Sequence, residues 1–484
     1  MSPRHYIGPV PTTHTTQADS KGEGNSGMSK SGASAPTNKW VGGHAIVLGA
    51  SVSGLLAARV LADVYDRITL IERDRVSEVG IAPRRGAPQG RHAHGLLSRG
   101  AEIFEELFPG LLEEFVAGGA PTISSPAELR NNLGGHLLCM TGEYTELSDT
   151  YQPSRPHLES MVRTRVTGLP NVKLIDGCQV VGLETTDDNT RVLGVEVLYT
   201  EDHSADVIHA DLVVDATGRS GRATKWLESM GYAPPPEESL QVDLLYVSQH
   251  LRPVPGSMGR EKVVIIGHAP TRPTGAEYLE QEDGRWILTL IGYGGHHPPT
   301  DQAGFLAFAE PIVPPHVFAS IRDAEPLSEI VAHRFPASIR RRYEKLSQFP
   351  EGLLVVGDAI CSFNPIYAQG MTVAAIQAET LRNTLQGGGD RLAQRFFKAV
   401  SKPLGVTWQM ATGSDLSIPQ VQGPRPLPVR MINAYINMVL TAAEQDSVLA
   451  ERFLKVQYLL VPPTTLMRPG NMARVFAGNL RRRR

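Results

Sequence analysis

The stretch HAIVLGASVSG, residues 44–54, decides the fold of this chain. Its first five residues are mostly apolar and suit a short strand buried in a parallel sheet. A turn rich in glycine and serine follows, and residues with helix-forming composition continue to Ala62. The next apolar run, residues 68–71, predicts a second strand. The segment therefore predicts a strand–turn–helix–strand unit of an α/β protein.

The turn from Gly49 to Gly54 has the spacing of a dinucleotide-binding fingerprint. Gly49 permits a sharp exit from the strand, and Gly54 lets the helix pack close to the sheet. Ser51 replaces the middle glycine, but it is small, and its hydroxyl can itself meet a phosphate. Glu72 ends the second strand, where the fingerprint has a carboxylate for a ribose diol, which disfavours NADP in this site. The alternative to a nucleotide site is an ordinary turn with a surface glutamate. The strand before the turn, the helix after it and the carboxylate at the end of the next strand together disfavour this alternative.

A second strand–loop–helix element lies far down the chain, as LLVVGDA at 353–359 followed by NPIYAQGM at 364–371. Asp358 at the strand end can hold a polyol hydroxyl, although alone it would also suit a helix cap. The helix N-terminus after Gly370 offers main-chain amides to an electron-rich ring edge. Because two such elements embrace one long ligand, the pair indicates FAD.

These segments resemble the FAD-dependent aromatic hydroxylase and squalene monooxygenase superfamily over residues 43–400. The stretches RRGAPQGRHAH, residues 84–94, and FNPIY, residues 363–367, more narrowly resemble the flavin epoxidases of polyether ionophore biosynthesis. The resemblance implies that one atom of O2 is inserted through a flavin C4a-hydroperoxide, into an alkene of a polyketide or terpenoid. Aromatic-ring hydroxylation is an alternative, and so are a prenyl-chain reductase and a non-catalytic flavoprotein binding module. The four tryptophans are isolated, which disfavours a flavin halogenase, whose signature is Trp-x-Trp.

The resemblance also assigns residues to the cofactor. Arg84 and Arg155 match arginines that reach toward FAD, and Val180 matches a strand residue whose main chain meets the adenine. No catalytic residue is assigned, because the flavin carries the chemistry. Tyr367 is the substrate-side candidate, and it is equally a structural aromatic. The expected cofactor-binding residues are Gly49, Ser51, Gly54, Glu72, Arg73, Arg84, Arg155, Val180, Gly357, Asp358, Pro365, Gly370 and Met371.

Two positions depart from the pattern of the superfamily. Thr217, in DATGR at residues 215–219, replaces the aspartate of a motif tied to both FAD and NADPH, which argues against direct NADPH use. Ala368 stands where relatives carry glycine, so a methyl group would crowd the flavin edge. No second nucleotide fingerprint exists. Electrons are therefore expected from NAD(P)H, either docked transiently or through a flavin- or ferredoxin-type reductase.

The predicted fold class is α/β, with a Rossmann-like FAD-binding domain of the glutathione-reductase type, an inserted α+β substrate domain and a helical C-terminal region. The first forty residues, rich in Ser, Thr, Gly and Pro, predict a disordered leader, and Met28 is an alternative start. The predicted order is a leader at 1–40, FAD-binding parts at 41–125, 151–238 and 336–390, substrate-domain parts at 126–150 and 239–335, and a helical region at 391–484.

Composition limits the other functions. The net charge of −3 gives no nucleic-acid signal, and three widely spaced cysteines suit a reducing cytoplasm. His92 and His94 lack further ligands for a metal site. The expected partners are an apolar small-molecule substrate and O2. Apolar stretches such as residues 456–461 predict a helical brace more than a membrane-dipping face, so membrane contact is left open but not predicted.

Overall fold

A computed structural model of the chain describes residues 41–76 and 81–482. The predicted leader and the alternative start at Met28 lie outside these residues. Within the described ranges, no helix combines the length and the apolar character that crossing a membrane requires.

The first half of the chain alternates strands and helices. Its elements are β1 (Gly42–Leu48), α1 (Val52–Leu61), β2 (Tyr65–Ile71), α2 (Ser98–Leu107), α3 (Leu111–Ala117), β3 (Thr122–Ile123), β4 (Leu129–Leu133), β5 (His136–Leu137), β6 (Thr150–Tyr151), α4 (Arg155–Thr167), β7 (Val172–Ile175), β8 (Cys178–Thr185), β9 (Val192–Tyr199), β10 (Ala205–His209), β11 (Leu212–Asp215) and α5 (Arg222–Ser229).

The second half begins with long antiparallel strands and ends in helices. Its elements are β12 (Glu237–Arg252), β13 (Val263–Ile266), β14 (Thr274–Glu280), β15 (Trp286–Tyr293), α6 (Gln302–Ala309), α7 (Pro315–Arg322), β16 (Glu325–Pro326), β17 (Val331–Arg341), β18 (Leu353–Val355), β19 (Cys361–Ser362), α8 (Gly370–Leu385), α9 (Leu392–Asp415), α10 (Leu427–Ala443), α11 (Ser447–Gln457) and α12 (Pro469–Arg482).

A parallel sheet in the order β18-β11-β1-β2-β7 forms the nucleotide-binding layer. Ala45–Leu48 is buried because β1 lies at the centre of this sheet, which explains its unbroken apolar run. Helix α1 packs against α8 as well as against β1 and β2, so most of its side chains are buried. The carboxyl ends of β1, β2, β11 and β18 meet at one edge, where ligands of open α/β sheets bind.

The second layer is a mixed sheet in the order β19-β17-β12-β15-β14-β13-β4-β5, with β16 paired to β12. Helices α6 and α7 share a core with one face of this sheet. Helices α10, α11 and α12 share a separate core with residues of β4, β13, β14 and β15. The predicted fold class, α/β with a helical C-terminal region, is confirmed.

Some elements differ from their sequence-based prediction. Helices α2 and α3 are separate because the chain turns at Gly110, which has a φ of +83°. Strand β12 crosses the domain boundary expected at residue 239, and β17 crosses the one expected at 336. Neither boundary falls in a linker, because these two strands pair with each other along their length.

Candidate cofactor and substrate site

The two glycine motifs touch each other at the edge of the parallel sheet. Gly49 has a φ of +98°, and a Cβ there would lie 2.9 Å from the carbonyl oxygen of Ala216. A Cβ at Gly54 would overlap the carbonyl oxygen of Gly49. Gly357, with a φ of +72°, leaves no room for a Cβ beside Ser53. Glycine is therefore required at all three positions, because main chain packs directly against main chain or against α1.

Glu72 lies at the carboxyl end of β2, as the fingerprint predicts. Its carboxylate accepts hydrogen bonds from the amides of Ala50, at 2.9 Å, and Asp74, at 3.1 Å. It also forms an ion pair of 3.1 Å with Arg84. A carboxylate has about four acceptor positions, so one position is left to accept a hydrogen bond from a ribose hydroxyl.

Arg84 is a buried guanidinium held by three acids. Its Nε donates to Glu159 at 2.7 Å, and its Nη1 lies 3.1 Å from Glu72 and 3.4 Å from Asp74. Burial alone would lower the pKa of Arg84, but these acids outweigh burial and raise it. The remaining nitrogen, Nη2, is buried without a hydrogen-bond partner among the described residues. An anionic group in the adjoining space would accept that unused hydrogen bond.

Ser51 connects the first turn to α4. Its hydroxyl donates to Glu159 at 3.1 Å and accepts from Nη2 of Arg155 at 2.9 Å. Burial would raise the pKa of Glu159, but Arg155 and Arg84 hold it below its ordinary value. The hydroxyl predicted to meet a phosphate is thus part of a charged network, and Arg155 is brought beside it.

Asp358 and the N-terminus of α8 lie on the other side of the same space. The Asp358 carboxylate accepts no hydrogen bond from the described residues, and it opens into the space between the two motifs. Surrounding protein raises its pKa, while Arg155 and Arg219 lower it. Gly370 and Met371 begin α8, so their amides have no acceptor within the helix. These groups suit a polyol and a carbonyl-rich ring edge.

The DATGR loop and Val180 are tied to the protein itself. The Thr217 hydroxyl donates to Asp215 at 2.6 Å, and the other oxygen of Asp215 accepts from the amide of Ala223 at the start of α5. The carbonyl of Val180 accepts a hydrogen bond from Arg222. Thr217 therefore closes its own loop.

These groups enclose one cavity of about 440 Å3, the cofactor cleft. Its polar groups fit a dinucleotide: an unpaired buried guanidinium nitrogen on Arg84, an unpaired carboxylate on Asp358, and a free helix N-terminus at Gly370. Gly54 and Gly357 do not line the cleft and act through packing. The predicted residues that line it are Gly49, Ser51, Glu72, Arg73, Arg84, Arg155, Val180, Asp358, Pro365, Gly370 and Met371.

A second and larger cavity, the apolar cavity, has a volume of about 1020 Å3. The mixed sheet forms one wall with Ile265 and Leu279, and the C-terminal helices form another with Ile436 and Leu440. The two cavities meet at a junction whose residues line both: Ala93, His94, Gly95, Pro365 and Ala368. A cofactor in the cleft would therefore present one end to a ligand in the apolar cavity.

Tyr367 lies beside the junction and belongs to a buried cluster around Asp415. The Oδ1 atom of Asp415 accepts from Tyr367 at 2.7 Å, from Asn364 at 2.8 Å and from Tyr293 at 3.3 Å. Burial raises the pKa of Asp415 to about 7, and these donors lower it only in part. The cluster anchors the loop before α8 to α9. Tyr367 is thereby fixed in orientation, with its hydroxyl turned toward Asp415.

His94 and Ala368 shape the junction itself. The Nδ1 atom of His94 is bonded to the carbonyl of His92 at 2.9 Å. Burial, followed by the charge of Arg155, lowers the pKa of His94 to about 4, so its ring is neutral at pH 7. Ala368 has a φ of +53°, a conformation that favours glycine. The departure noted in the sequence therefore keeps a left-handed backbone and adds a methyl group.

Several residues of the site carried no signal that sequence reasoning used. Glu159 follows Arg155 by one helical turn, a spacing that could have indicated the pair. His94 was considered only as a metal ligand. Asp415 and Glu277 belong to no recognisable motif, and only the fold brings them to or beside the cavity.

The fold is that of FAD-binding flavoprotein monooxygenases. The chain is similar to a flavoprotein/dehydrogenase from Cytophaga hutchinsonii, with a TM-score of 0.64, 15% identity, and coverage of 91% of this chain and 98% of that one. Flavin-dependent brominase Bmp2 gives a TM-score of 0.61 at 13% identity, covering 92% and 100%. The p-nitrophenol 4-monooxygenase PnpA from Pseudomonas putida DLL-E4 gives 0.61 at 15%, covering 87% and 99%.

Sequence comparison defines the nearer family. The chain is 38% identical over 450 residues to Protein Rv3254 from Mycobacterium tuberculosis (strain ATCC 25618 / H37Rv), a match that covers 90% of this chain and 94% of that protein. No family model matches the chain. The chain belongs to the family of Rv3254.

Proposed function

We propose that this chain is an FAD-dependent monooxygenase that inserts one atom of O2 into an elongated apolar substrate. The observation that carries the proposal is the junction, where a polar cleft fit for a dinucleotide opens into an apolar cavity of about 1020 Å3. The structural neighbours include proteins named as flavin-dependent enzymes and a monooxygenase, which supports the same class of reaction.

FAD, when bound, supplies the activation of dioxygen. Arg84, the sheet-edge turn at Gly49 and the carboxylate of Asp358 would hold the dinucleotide. The free amides at the start of α8 would donate hydrogen bonds to the electron-rich edge of its ring. The walls of the apolar cavity exclude water and keep the substrate at the junction.

Epoxidation of an alkene in a polyketide or terpenoid is the reaction we favour. An alkene needs no proton removed, and the junction presents a neutral imidazole, His94, and no ionised base among the described residues. The resemblance of residues 84–94 and 363–367 to polyether flavin epoxidases agrees with this choice. We expect electrons to come from NAD(P)H, either through a flavin- or ferredoxin-type reductase or by transient docking, because Thr217 is turned into its own loop.

Aromatic-ring hydroxylation is the second candidate, and His94 favours it. Its Nδ1 is bonded to the main chain, so its Nε2 is the nitrogen left to accept a hydrogen bond from the hydroxyl of a phenol held at the junction.

The test combines cofactor retention with oxygen incorporation. Wild-type protein should purify yellow with bound FAD, whereas Asp358→Ala should lose it, because the polyol would lose its acceptor. Asp323→Ala is the matched control, since Asp323 is an exposed partner of Arg322. Mass spectrometry with isotope-labelled O2 should then find one labelled oxygen in a polyene, terpenoid or polyketide product. Full FAD retention by Asp358→Ala would contradict the site, and turnover without label would contradict the reaction.

A further inference from the structure

Glu277 places a carboxyl group on the wall of the apolar cavity. It lies in β14 between Gly275 and Leu279, which line the same cavity. Alternate residues of a strand share a face, so Glu277 interrupts an otherwise apolar surface. No charge or hydrogen-bond donor of the described residues acts on this carboxyl: burial is the only influence on its pKa.

The strand register places Glu277 in a row that crosses the sheet. Residue Asn131 of β4 is paired with Ile265 of β13, and Ile265 is paired with Glu277. Glu277 is in turn paired with Thr289 of β15. Residues paired across neighbouring strands project from the same face, so these four side chains lie side by side.

The polar side chains of this row have hydrogen-bond partners at one end only. The hydroxyls of Thr289 and Ser248 are 2.7 Å apart, and Ser248 is bonded to the His92 ring at 2.8 Å. At the other end, Oδ1 of Asn131 is buried without a donor among the described residues. Glu277 and Asn131 therefore both lack hydrogen-bond donors.

No cation in the described lining of the apolar cavity serves Glu277. The guanidinium of Arg425 donates to main-chain carbonyls of the loop that follows α9, and Arg430 is exposed. Burial lowers the pKa of both His94 and His268 to about 4, so both rings are neutral at pH 7. The cavity tyrosines are neutral too, because burial raises the pKa of Tyr293, Tyr367 and Tyr458.

We propose that Glu277 recognises a basic nitrogen on the substrate, so that the ligand is an elongated apolar molecule carrying one protonated amine. A half-buried carboxyl that faces an apolar cavity without a counter-ion either binds a proton or takes a cation from its ligand. An ammonium group brings only donors, which are what Glu277 and Asn131 lack. The proposal rests on the proposed function for one point, that the apolar cavity is the substrate site.

The test compares two probes of equal chain length, 1-octylamine and 1-octanol, by titration calorimetry on FAD-loaded protein. Wild-type protein should bind octylamine about tenfold more tightly than octanol, or better. Glu277→Gln keeps the side-chain size but not the charge, and should lose this preference while binding octanol unchanged. Glu280→Gln is the matched control: it lies on the same strand but does not line the cavity, and it should keep the preference.

Proton release gives a second readout. Burial raises the pKa of Glu277 to about 8, so in the empty cavity at pH 7 the carboxyl carries a proton. Octylamine stays protonated at this pH, as a lysine amine does. Its binding should expel the proton of Glu277, which appears as a dependence of the binding heat on the ionisation enthalpy of the buffer. Octanol should show no such dependence.

The outcomes separate the two proposals. FAD-loaded wild-type protein with equal affinity for both probes would overturn the role of Glu277 alone, and so would an unchanged preference in Glu277→Gln. Wild-type protein that binds no FAD would overturn the proposed function, whatever its preference between the probes.

Discussion

The pKa of Glu159 in the cofactor cleft is shifted in the opposite direction from the pKa values of the acids in and beside the apolar cavity. In the cleft, Glu159 lies between Arg84 and Arg155, which hold its pKa below the ordinary value against the effect of burial. In and beside the cavity, Glu277 and Asp415 have no cationic partner in the described part of the chain, and burial raises the pKa of each. The cleft thus pairs Glu159 with two arginines and leaves Asp358, whose pKa is also raised, open to a ligand, whereas the acids in and beside the cavity tend to be neutral.

This difference follows from what each region has to bind. A dinucleotide brings fixed phosphates and hydroxyls, so charged residues can be arranged for it in advance. A largely apolar ligand needs a dry surface with few polar groups. Four predictions test whether the two regions are as distinct as their electrostatics indicate.

The largest effect is expected from Gly54→Ala in the cleft. The new methyl group would overlap the carbonyl oxygen of Gly49, so α1 would have to move away from the sheet. The free energy of unfolding, measured by urea denaturation, should fall by about 4 kcal/mol or more, and FAD should be lost. Gly470→Ala in α12 is the control: its Cβ meets open space, and helix propensity predicts a gain of about 0.5–1 kcal/mol. Wild-type stability in Gly54→Ala would refute the close packing of the first motif.

The buried acids predict pH dependences of opposite sign. The folded-state pKa of Asp415 is about 7 against an ordinary 3.8, so its stability contribution is complete below 3.8 and is lost as pH rises to about 7. The pKa of Glu159 is lowered from 4.5, so its contribution is present above 4.5 and is lost as pH falls through the lowered value. Each slope has a limit of about 1.4 kcal/mol per pH unit.

Urea unfolding over a pH series checks this pair. Asp415→Asn should flatten the decline of stability between pH 4 and 7, whereas Glu159→Gln should flatten the loss on the acid side. If Asp415→Asn and the wild-type protein gave parallel profiles between pH 4 and 7, Asp415 would be ionised throughout, and the contrast between the regions would fail.

A smaller effect is expected from Arg84→Lys. Lysine keeps the positive charge but lacks the planar guanidinium group. That group contacts Glu159 and Glu72 through two of its nitrogens and leaves the third, Nη2, for a ligand. FAD affinity, measured by flavin fluorescence quenching on the apoprotein, should fall about tenfold to a hundredfold, while octanol binding in the apolar cavity stays unchanged. Arg91→Lys, at an exposed position in the same loop, should change neither. Equal loss of both ligands would show that the two regions are not independent.

The smallest effect is expected from Ala368→Gly at the junction. Glycine removes the steric strain that Ala368 has at a φ of +53°. It also raises the entropy of the unfolded chain, so the free energy of unfolding should rise by less than about 1 kcal/mol. Ala93→Gly, at the junction without a positive φ, should instead lose about 0.5–1 kcal/mol. Thermal unfolding distinguishes the two, and equal losses would mean that Ala368 is unstrained.

The residues of the cleft could be predicted from the sequence more fully than those of the cavity, because the cleft depends on main-chain geometry. Gly49 and Gly54 are required by contacts with main-chain carbonyl groups, and Gly357 by its positive φ beside Ser53. Glu72 directly follows β2, and Asp358 lies in the turn after β18. Such requirements fix residue type and spacing together, so they leave a pattern in the sequence.

The cavity left no such pattern. Asn131, Glu277 and Asp415 come from separate strands and a C-terminal helix, and only tertiary packing brings them near the junction. The helices α10 and α11 look in sequence like a brace for the core, yet Leu440, Phe453 and Val456 also line the cavity. Contacts between segments far apart in the sequence place these polar residues near the junction and these helices against the cavity. Local composition does not encode such contacts.

We propose that the ring end of FAD lies where the cofactor cleft opens into the apolar cavity. The most direct test is the visible absorption spectrum of the bound flavin while 1-octanol is titrated into wild-type protein, with calorimetry on the same sample. A ligand beside the ring should shift the flavin band in a saturable way, with the dissociation constant found by calorimetry. Octanol that binds without any spectral change, or that does not bind at all, would contradict it.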